Sequence, residues 1–507
     1  MRADLARRGH CFRSETDTET VAHLIEDIQN QPANGQRPAF EEAVRRALRK
    51  IRGTYGLVVM RAQDPNTLIA VRNFSPLLVG IGNNEYFIAS DASAVLKHTK
   101  NVIYLDDGEM AVVTPAGHCV YDMARNVREK KLHEIEWSLE QAQRGGYPHF
   151  MLKEIHEQPE ALENSLRGRI VVEEGRAKLG GLTEVLDELR SAERIIIAAC
   201  GTAYLAGRVG EYMLEEYAGI PAEVDFASEF RYRKPIFQKG DVMLVISQSG
   251  ETADTLAALR EAKEKRITTL GIVNVVGSTL ARETDAGVYQ HIGPEIGVAS
   301  TKAFTSQVSL LALLTLLLGR QRDMSVVMGQ RIARELQYIP TLMRTVLSQH
   351  QHLERLAQKY QRYRNFLYLG RKYNFPVSLE GALKLKEISY AHAEGYGAGE
   401  MKHGPIAMID PEFPSVCIAP QDSVYEKMAS NIEEIRARKG PVIAIATVGD
   451  EKIRELADDV IYIPKTLEML TPLLAVIPLQ LFAYYFGVLR GYDVDKPRNL
   501  AKSVTVE

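Results

Sequence analysis

The stretch Asp241–Leu256, DVMLVISQSGETADTL, limits the fold more than any other in the chain. Val242–Ile246 is a short, nearly unbroken apolar run, the pattern of a parallel strand covered on both faces. It breaks at once into a turn holding Ser247, Gln248, Ser249, Gly250 and Thr252, and the turn opens a helix. Small hydroxyls beside the free N–H groups of a helix N-terminus make an anion site, with phosphate the usual guest. No lysine stands in the loop, so it is not a Walker-type nucleotide loop. The plain alternative is a Ser-rich helix cap, with Glu251 and Asp254 favouring the first turn.

Similar units surround this one. Ile195–Ala199 is a continuous apolar strand ending in Cys200-Gly201-Thr202, a helix follows to about Tyr217, and Ala222–Phe226 and Thr269–Val273 read as further strands. Such alternation argues for a doubly wound parallel sheet, in which ligands bind at the carboxyl ends of strands. The second half repeats the first. Phe366–Leu369 then Gly370 parallels Ile195–Ala199 then Gly201, and AGEM at 398–401 parallels ASEF at 227–230. Gly201 precedes Glu229 by 28 residues and Gly370 precedes Glu400 by 30, which implies two copies of one domain. Ser415–Ala419, Val442–Ala446 and Asp459–Ile463 supply more strands.

The N-terminal part has a different texture. Residues 1–13 look like the end of a helix. In SETDTETVAHLIEDI, Thr16 and Glu19 form a capping-box pattern and Val21, Leu24, Ile25 and Ile28 share one helical face. Tyr55–Met60, Leu68–Val71, Leu77–Ile81, Tyr86–Ala89, Val102–Leu105 and Met110–Val113 are expected strands, so residues 14–122 form a β-rich module with at least one helix. Residues 123–165 are charged and helical in pattern, broken at Gly145, Gly146 and Pro148, and read as a linker.

The length of 507 residues exceeds one ordinary core and asks for two to four domains. A formal net charge of −3 leaves no footprint for nucleic acid or a membrane surface. Cys11, Cys119, Cys200 and Cys417 lie far apart without a CxxC, so neither a disulfide framework nor a zinc site is indicated, and a reducing, cytoplasmic setting fits. The start MRADLARRGHCF has no apolar core and is not a secretory signal. Val308–Leu318 is too short to span a bilayer. Leu470–Leu489 is interrupted by Pro472, Pro478 and Gln480 and reads as a buried core helix.

ISQSGETADTL resembles the first phosphate loop of sugar isomerase (SIS) domains. AACGTAY at 198–204, EIGVASTKAFT at 295–305, LEGALKLKEISYAHAE at 379–394, GEMKHGPIAMID at 399–410 and DVDKPRNLAKSVTVE at 493–507 extend the resemblance over nearly the whole chain. The pattern is similar to the glutamine–fructose-6-phosphate aminotransferase family, the glucosamine-6-phosphate synthases. It implies an α/β fold of two tandem SIS domains behind an α+β glutaminase-like domain of the N-terminal-nucleophile kind. The expected domains are an incomplete glutaminase domain over 1–132, a linker and interdomain helix over 133–181, SIS domains over 182–325 and 350–490, and a tail over 491–507 closing the sugar site.

The resemblance also implies the chemistry. Fructose 6-phosphate and an amino source become glucosamine 6-phosphate, the first step towards UDP-N-acetylglucosamine, in a homodimer that needs no metal or organic cofactor. Thr202, Ser247, Gln248, Ser249, Thr252, Val298, Ser300 and Ala501 match sugar-phosphate-binding positions. A usual Ser is replaced by Ala203, which removes one hydroxyl that Thr202 is expected to supply instead. His403 matches the ring-opening histidine, reaching the site from the neighbouring subunit. Lys502 matches the lysine that forms an imine with C2, Glu387 the carboxylate that carries a proton between C1 and C2, and Lys384 the companion that stabilises enolate charge. These residue types suit the steps. Each also has an ordinary reading: a helix-face carboxylate with an i,i+3 lysine, a turn histidine, a solvated tail lysine. Asp17 matches the carboxylate that holds the α-amino group of glutamine. The chain begins well inside the family pattern, with Arg2 where the nucleophilic cysteine is expected, so ammonia rather than glutamine is the expected amino source for the chain as written. A fructosamine-phosphate deglycase and a non-catalytic sugar-phosphate sensor are the alternatives.

Overall fold

The computed structural model describes residues 1–31, 36–135 and 143–504. Within them the chain divides into an N-terminal unit and a larger unit that runs to Val504. Residues 136–142 of the expected linker and 505–507 of the expected tail lie outside the described residues.

The larger unit contains two parallel sheets of the same design. In the first, the order is Ala222–Phe226, Arg194–Ala199, Asp241–Ser247, Thr268–Val273, Ala286–Tyr289. In the second it is His392–Gly397, Asn365–Gly370, Ser415–Ala419, Val442–Thr447, Asp459–Ile463. Each is a doubly wound 2-1-3-4-5 sheet whose strand order reverses between its first and third strands. Register places Ala199 level with both Phe226 and Ile246, so Cys200 and Ser247 leave the sheet at the same edge.

The strands are apolar on both faces because both are covered. Ile195, Ile197 and Ala199 face the core shared by the two sheets, while Ile196 and Ala198 face a second cluster with Met243, Val245, Leu256 and Leu259. The shared core is filled by the helices Gly201–Met213, Lys302–Arg320, Asn374–Ser389 and Thr471–Leu489. Lys302–Arg320 and Glu468–Leu489 are long and apolar enough to cross a membrane, yet most of each is buried inside the protein. Asn374–Ser389 and Thr471–Leu489 meet at Gly487, where an added Cβ would stand 2.8 Å from the Ile388 carbonyl and 3.0 Å from Val494.

The N-terminal unit has two four-stranded antiparallel sheets. Their orders are Tyr55–Arg61, Asp64–Asn73, Glu109–Thr114, Gly117–Asp122, and Tyr86–Ala89, Leu78–Ile81, Asn101–Tyr104, His133–Glu134. Alternation along one strand builds two cores: Ile69 and Val71 pack with the helices Asp17–Asn30 and Phe40–Leu48, while Ala70 packs with Leu77, Val79 and Ile103.

Several expectations are corrected. Residues 123–135 are extended, not helical: Val127 bridges Tyr121, and ion pairs of Arg128 with Asp122 (2.8 Å) and of Lys130 with Asp106 (2.7 Å) hold the charged stretch against the sheet. The helix Arg2–Arg7 already ends at Arg8. The capping box is shifted. Thr16 accepts from the Glu19 N–H, but the Glu19 carboxylate accepts from the N–H groups of Arg13 and Ser14 rather than of Thr16. Ser300 follows an irregular loop, where the apolar pattern before it had suggested a strand.

Because the contact at Gly487 is with backbone, Gly487→Ala is expected to push these two helices apart and destabilise the larger unit by about 1–3 kcal/mol. Urea unfolding measures it, and an unchanged midpoint would mean that the helices have room to separate.

Candidate functional site

A cleft of about 390 Å³ opens at the carboxyl edge of the first sheet, beside the strand-order reversal. Ser247, Gln248, Ser249 and Thr252 line one side, Thr202 and Ala203 another. Two helices, Gly201–Met213 and Ala253–Glu264, point their N-termini at this space, and the partial positive charge there suits an anion. The turn is built by its own bonds: Ser247 Oγ accepts the Gly250 N–H at 3.0 Å and Ser249 Oγ the Glu251 N–H at 3.2 Å. Gly250 has φ +68°, and a Cβ there would overlap the Ser278 hydroxyl at 2.1 Å, so only glycine allows this turn.

Thr202 does not present a free hydroxyl. Its Oγ1 donates to Glu380 at 3.2 Å and accepts from Lys384 Nζ at 3.1 Å, so the hydroxyl expected to stand in for the one missing at Ala203 is engaged within the protein.

The opposite wall comes from the second half. Glu380, Lys384 and Glu387 lie on one stripe of the helix Asn374–Ser389. The Lys384 side chain is fully buried and ion-paired to Glu387 at 2.7 Å and to Glu380 at 3.4 Å. Burial opposes its charge, but the two carboxylates outweigh that and hold its pKa above the ordinary lysine value. Burial lifts the Glu380 carboxyl to about 7 against the pull of Lys384, and Glu387 adds to the rise. Glu387 is 22% exposed and borders the cleft, so of the three it is the group that can reach a ligand.

The C-terminal segment forms the remaining wall. Leu500, Ala501 and Lys502 line the cleft, and the Val504 carbonyl accepts the Ala253 N–H at 3.3 Å. Lys502 Nζ pairs with Glu295 at 2.7 Å and donates to the Gly297 carbonyl at 2.8 Å. Glu295 is buried, which alone would raise its pKa. Lys502 and the N–H groups of Thr301 and Ala303 reverse the direction and keep it ionised. Ser300 Oγ donates to the same carboxylate at 3.0 Å, and Ser300 and Val298 both line the cleft. Glu154, on the helix Phe150–His156, accepts from the Ile296 and Gly297 N–H groups. Burial, then repulsion from Glu295, lifts its pKa to about 7.

The structure thus brings Thr202, Ser247, Gln248, Ser249, Thr252, Val298, Ser300, Glu387, Ala501 and Lys502 around one space, with Lys384 directly behind Glu387. His403 is not among them; it sits exposed on the turn Glu400–His403. Asp17 is exposed at the start of its helix and borders a different cavity, of about 620 Å³, within the N-terminal unit. Sequence reasoning did not single out Glu380, Glu295 or Glu154. Glu380 was within reach, four residues before Lys384 on a helix that already carried two candidates. Arranged in this way, a phosphate held by neutral hydroxyls and helix ends would leave an amine and a carboxylate beside the rest of the ligand.

Comparison with known proteins agrees with this geometry. Residues 188–317 and 359–490 match the SIS domain family, and residues 1–97 match the glutamine amidotransferase domain family. The whole chain is 54% identical to glutamine–fructose-6-phosphate aminotransferase (isomerizing) of Chlorobaculum tepidum and 50% identical to that of Thermus thermophilus, in each case over 82% of the relative's length. Among solved structures, the C-terminal domain of glucosamine-fructose-6-phosphate aminotransferase from Francisella tularensis superposes with a TM-score of 0.67 at 37% identity, covering 70% of this chain and all of that one.

The raised pKa of Glu380 has a pH signature. Its folded-state value, about 7, lies above the ordinary 4.5, so its contribution to stability is complete below 4.5 and is lost as the pH rises through 7. Glu380→Gln keeps the shape without the charge. Between about pH 5 and about pH 8 the wild type is expected to lose roughly 1–3 kcal/mol relative to this variant in urea unfolding. A difference independent of pH would mean that Glu380 titrates normally.

Proposed function

The chain belongs to the glutamine–fructose-6-phosphate aminotransferase family, and on that premise we propose the cleft between its two SIS domains as the place where fructose 6-phosphate becomes glucosamine 6-phosphate. The observation that carries this reading is the meeting, in one cleft, of the hydroxyl turn, Glu387 and Lys502.

The phosphate sits on the turn Ser247–Thr252, between two helix N-termini. Anchoring it there leaves C1 and C2 towards Glu387 and the tail. Lys502 Nζ leaves Glu295, loses a proton and adds to the C2 carbonyl of the open-chain sugar, with loss of water, to give an imine. Ammonia replaces the lysine at C2. Glu387 then takes a proton from C1 and returns it to C2, while the proton of the C1 hydroxyl passes to the C2 nitrogen, which leaves an aldehyde at C1 and the amine at C2. Lys384, ion-paired to Glu387 and fully buried, offers positive charge to the enolate-like state between the two transfers. Ser300 and the Val298 carbonyl hold sugar hydroxyls.

Ring opening is assigned to His403. Within one chain it is exposed and does not line the cleft, which fits a histidine supplied by a second copy in a homodimer. Nitrogen supply belongs to the N-terminal unit, where Asp17 borders a cavity and holds the α-amino group of glutamine. A cytoplasmic setting fits four free cysteines. A sensing module would need only the hydroxyl turn. The fully buried Lys384 held between two carboxylates favours an enzyme, because such a charge is costly to keep without a task.

The test supplies the purified chain with fructose 6-phosphate and free ammonium and measures glucosamine 6-phosphate. Product formation lost by about a hundredfold or more in Glu387→Gln is expected. Full turnover in that variant would overturn the assignment of the proton carrier. In the same preparation Ser249→Ala removes one hydrogen bond to a charged group, worth roughly 1.5–3 kcal/mol. Binding of fructose 6-phosphate should weaken about tenfold or more while binding of unphosphorylated fructose stays nearly unchanged. Equal losses for both sugars would make the turn a helix cap and nothing more.

A further inference from the structure

In the N-terminal unit, His10, His23 and Glu26 turn one ligand atom each towards a common point. His10 follows the helix Arg2–Arg7, and His23 and Glu26 lie three residues apart on one face of the helix Asp17–Asn30. His10 Nδ1 is 3.1 Å from His23 Nδ1 and 3.4 Å from Glu26 Oε2, and His23 Nδ1 is 3.7 Å from the same oxygen. A metal bound tetrahedrally by nitrogen and oxygen at 2.0–2.1 Å has its ligand atoms about 3.3 Å apart. The three measured edges surround that value, so the atoms already form one face of such a tetrahedron.

We propose that His10, His23 and Glu26 bind one first-row divalent cation of the zinc class, with solvent as the fourth ligand. Two imidazoles and one carboxylate suit zinc, cobalt or nickel and disfavour magnesium and calcium, which take oxygen.

The far side of each ring supports this. His10 Nε2 faces Asp27 Oδ1 at 3.6 Å, and His23 Nε2 faces Glu19 Oε1 at 3.7 Å. Both acceptors are fixed by other bonds: Asp27 by Arg8 at 3.0 Å and Gln31 at 2.8 Å, Glu19 by the N–H groups of Arg13 and Ser14. A histidine that ligates through one nitrogen commonly donates its other N–H to a carboxylate, which fixes the ring and its tautomer. Without a metal the arrangement is frustrated for neutral rings. If one Nδ1–H donates to the other Nδ1, the donating ring has a bare Nε2 facing a carboxylate. With a metal between the Nδ1 atoms, both Nε2 atoms carry hydrogen and turn it towards a carboxylate 3.6 and 3.7 Å away, an electrostatic contact longer than a hydrogen bond. Phe12 packs edge-on against His23 with ring centroids 4.5 Å apart and limits the ring's rotation. A bound ion would fasten the turn around His10 to the helix that begins at Asp17, and so steady the carboxylate proposed for glutamine. The metal site itself does not depend on that assignment.

The experiment titrates the full chain, stripped by a chelator, with zinc chloride by calorimetry, and with cobalt chloride by visible absorption. One site per chain is expected, with the strong visible bands of a four- or five-coordinate cobalt complex. His10→Gln and Glu26→Gln should each weaken zinc binding by about tenfold or more and abolish the bands. In the unaltered chain, zinc should protect His10 and His23 from acylation by diethyl pyrocarbonate, mapped by peptide mass; this readout needs no variant to fold. Zinc binding unchanged in both variants, absence of a one-per-chain site, or acylation of His10 and His23 unaffected by zinc would each overturn the proposal.

Discussion

One buried carboxylate, Glu295, holds the wall of the cleft together. A charge taken out of water is tolerated only when its lone pairs are met, and leaving it alone costs several kcal/mol. Glu295 is met by Lys502 Nζ, the Ser300 hydroxyl and the N–H groups of Thr301 and Ala303. It therefore fixes three things at once: the loop that presents Val298 and Ser300, the first turn of the helix Lys302–Arg320, and the C-terminal segment. Asp495 repeats the device. It accepts the N–H groups of Phe150 and Met151 at 2.9 Å each, while its own carbonyl accepts the Val298 N–H at 3.1 Å. Val494 anchors the start of the tail in the apolar core, and charge and backbone bonds hold the part beyond it. Leu500 and Val504 are exposed.

The facing wall uses the same physics for another end. Glu380 and Glu387 share Lys384, but only Glu387 borders the cleft. Burial makes Glu380 a carboxyl that titrates near 7, whereas Glu387 stays partly exposed at the cleft. Thr202 links this pair to the side of the cleft lined by the hydroxyl turn, because its hydroxyl bonds both Glu380 and Lys384 while its backbone lies at a helix N-terminus.

Most of the double sheet could be read in advance because parallel strands covered on both faces become continuous apolar runs, and such runs have few other uses. Ala222–Phe226, Ser415–Ala419 and Asp459–Ile463 were expected with the bounds they have. The strands that escaped, Ala286–Tyr289, His392–Gly397, Gly117–Asp122, His133–Glu134 and the two-residue pair Ile170–Val171 and Arg176–Ala177, all lie at sheet edges, where short length or polar and small residues weaken the apolar signal. In the site, the hydroxyl turn was legible because its chemistry is local. Glu295 was not, since its partner Lys502 lies more than two hundred residues away and a lone glutamate in a loop carries no pattern. The cluster at His10 was hidden for a related reason: cysteine spacing spoke against a zinc site, while His10 belongs to no helix whose period would place it beside His23.

If the tail lysine is the amine that captures the sugar in this cleft, borohydride reduction of the chain in the presence of fructose 6-phosphate, followed by peptide mapping, should find one sugar phosphate attached at Lys502, and none in Lys502→Arg. Attachment at another lysine, or undiminished attachment in that variant, would contradict it.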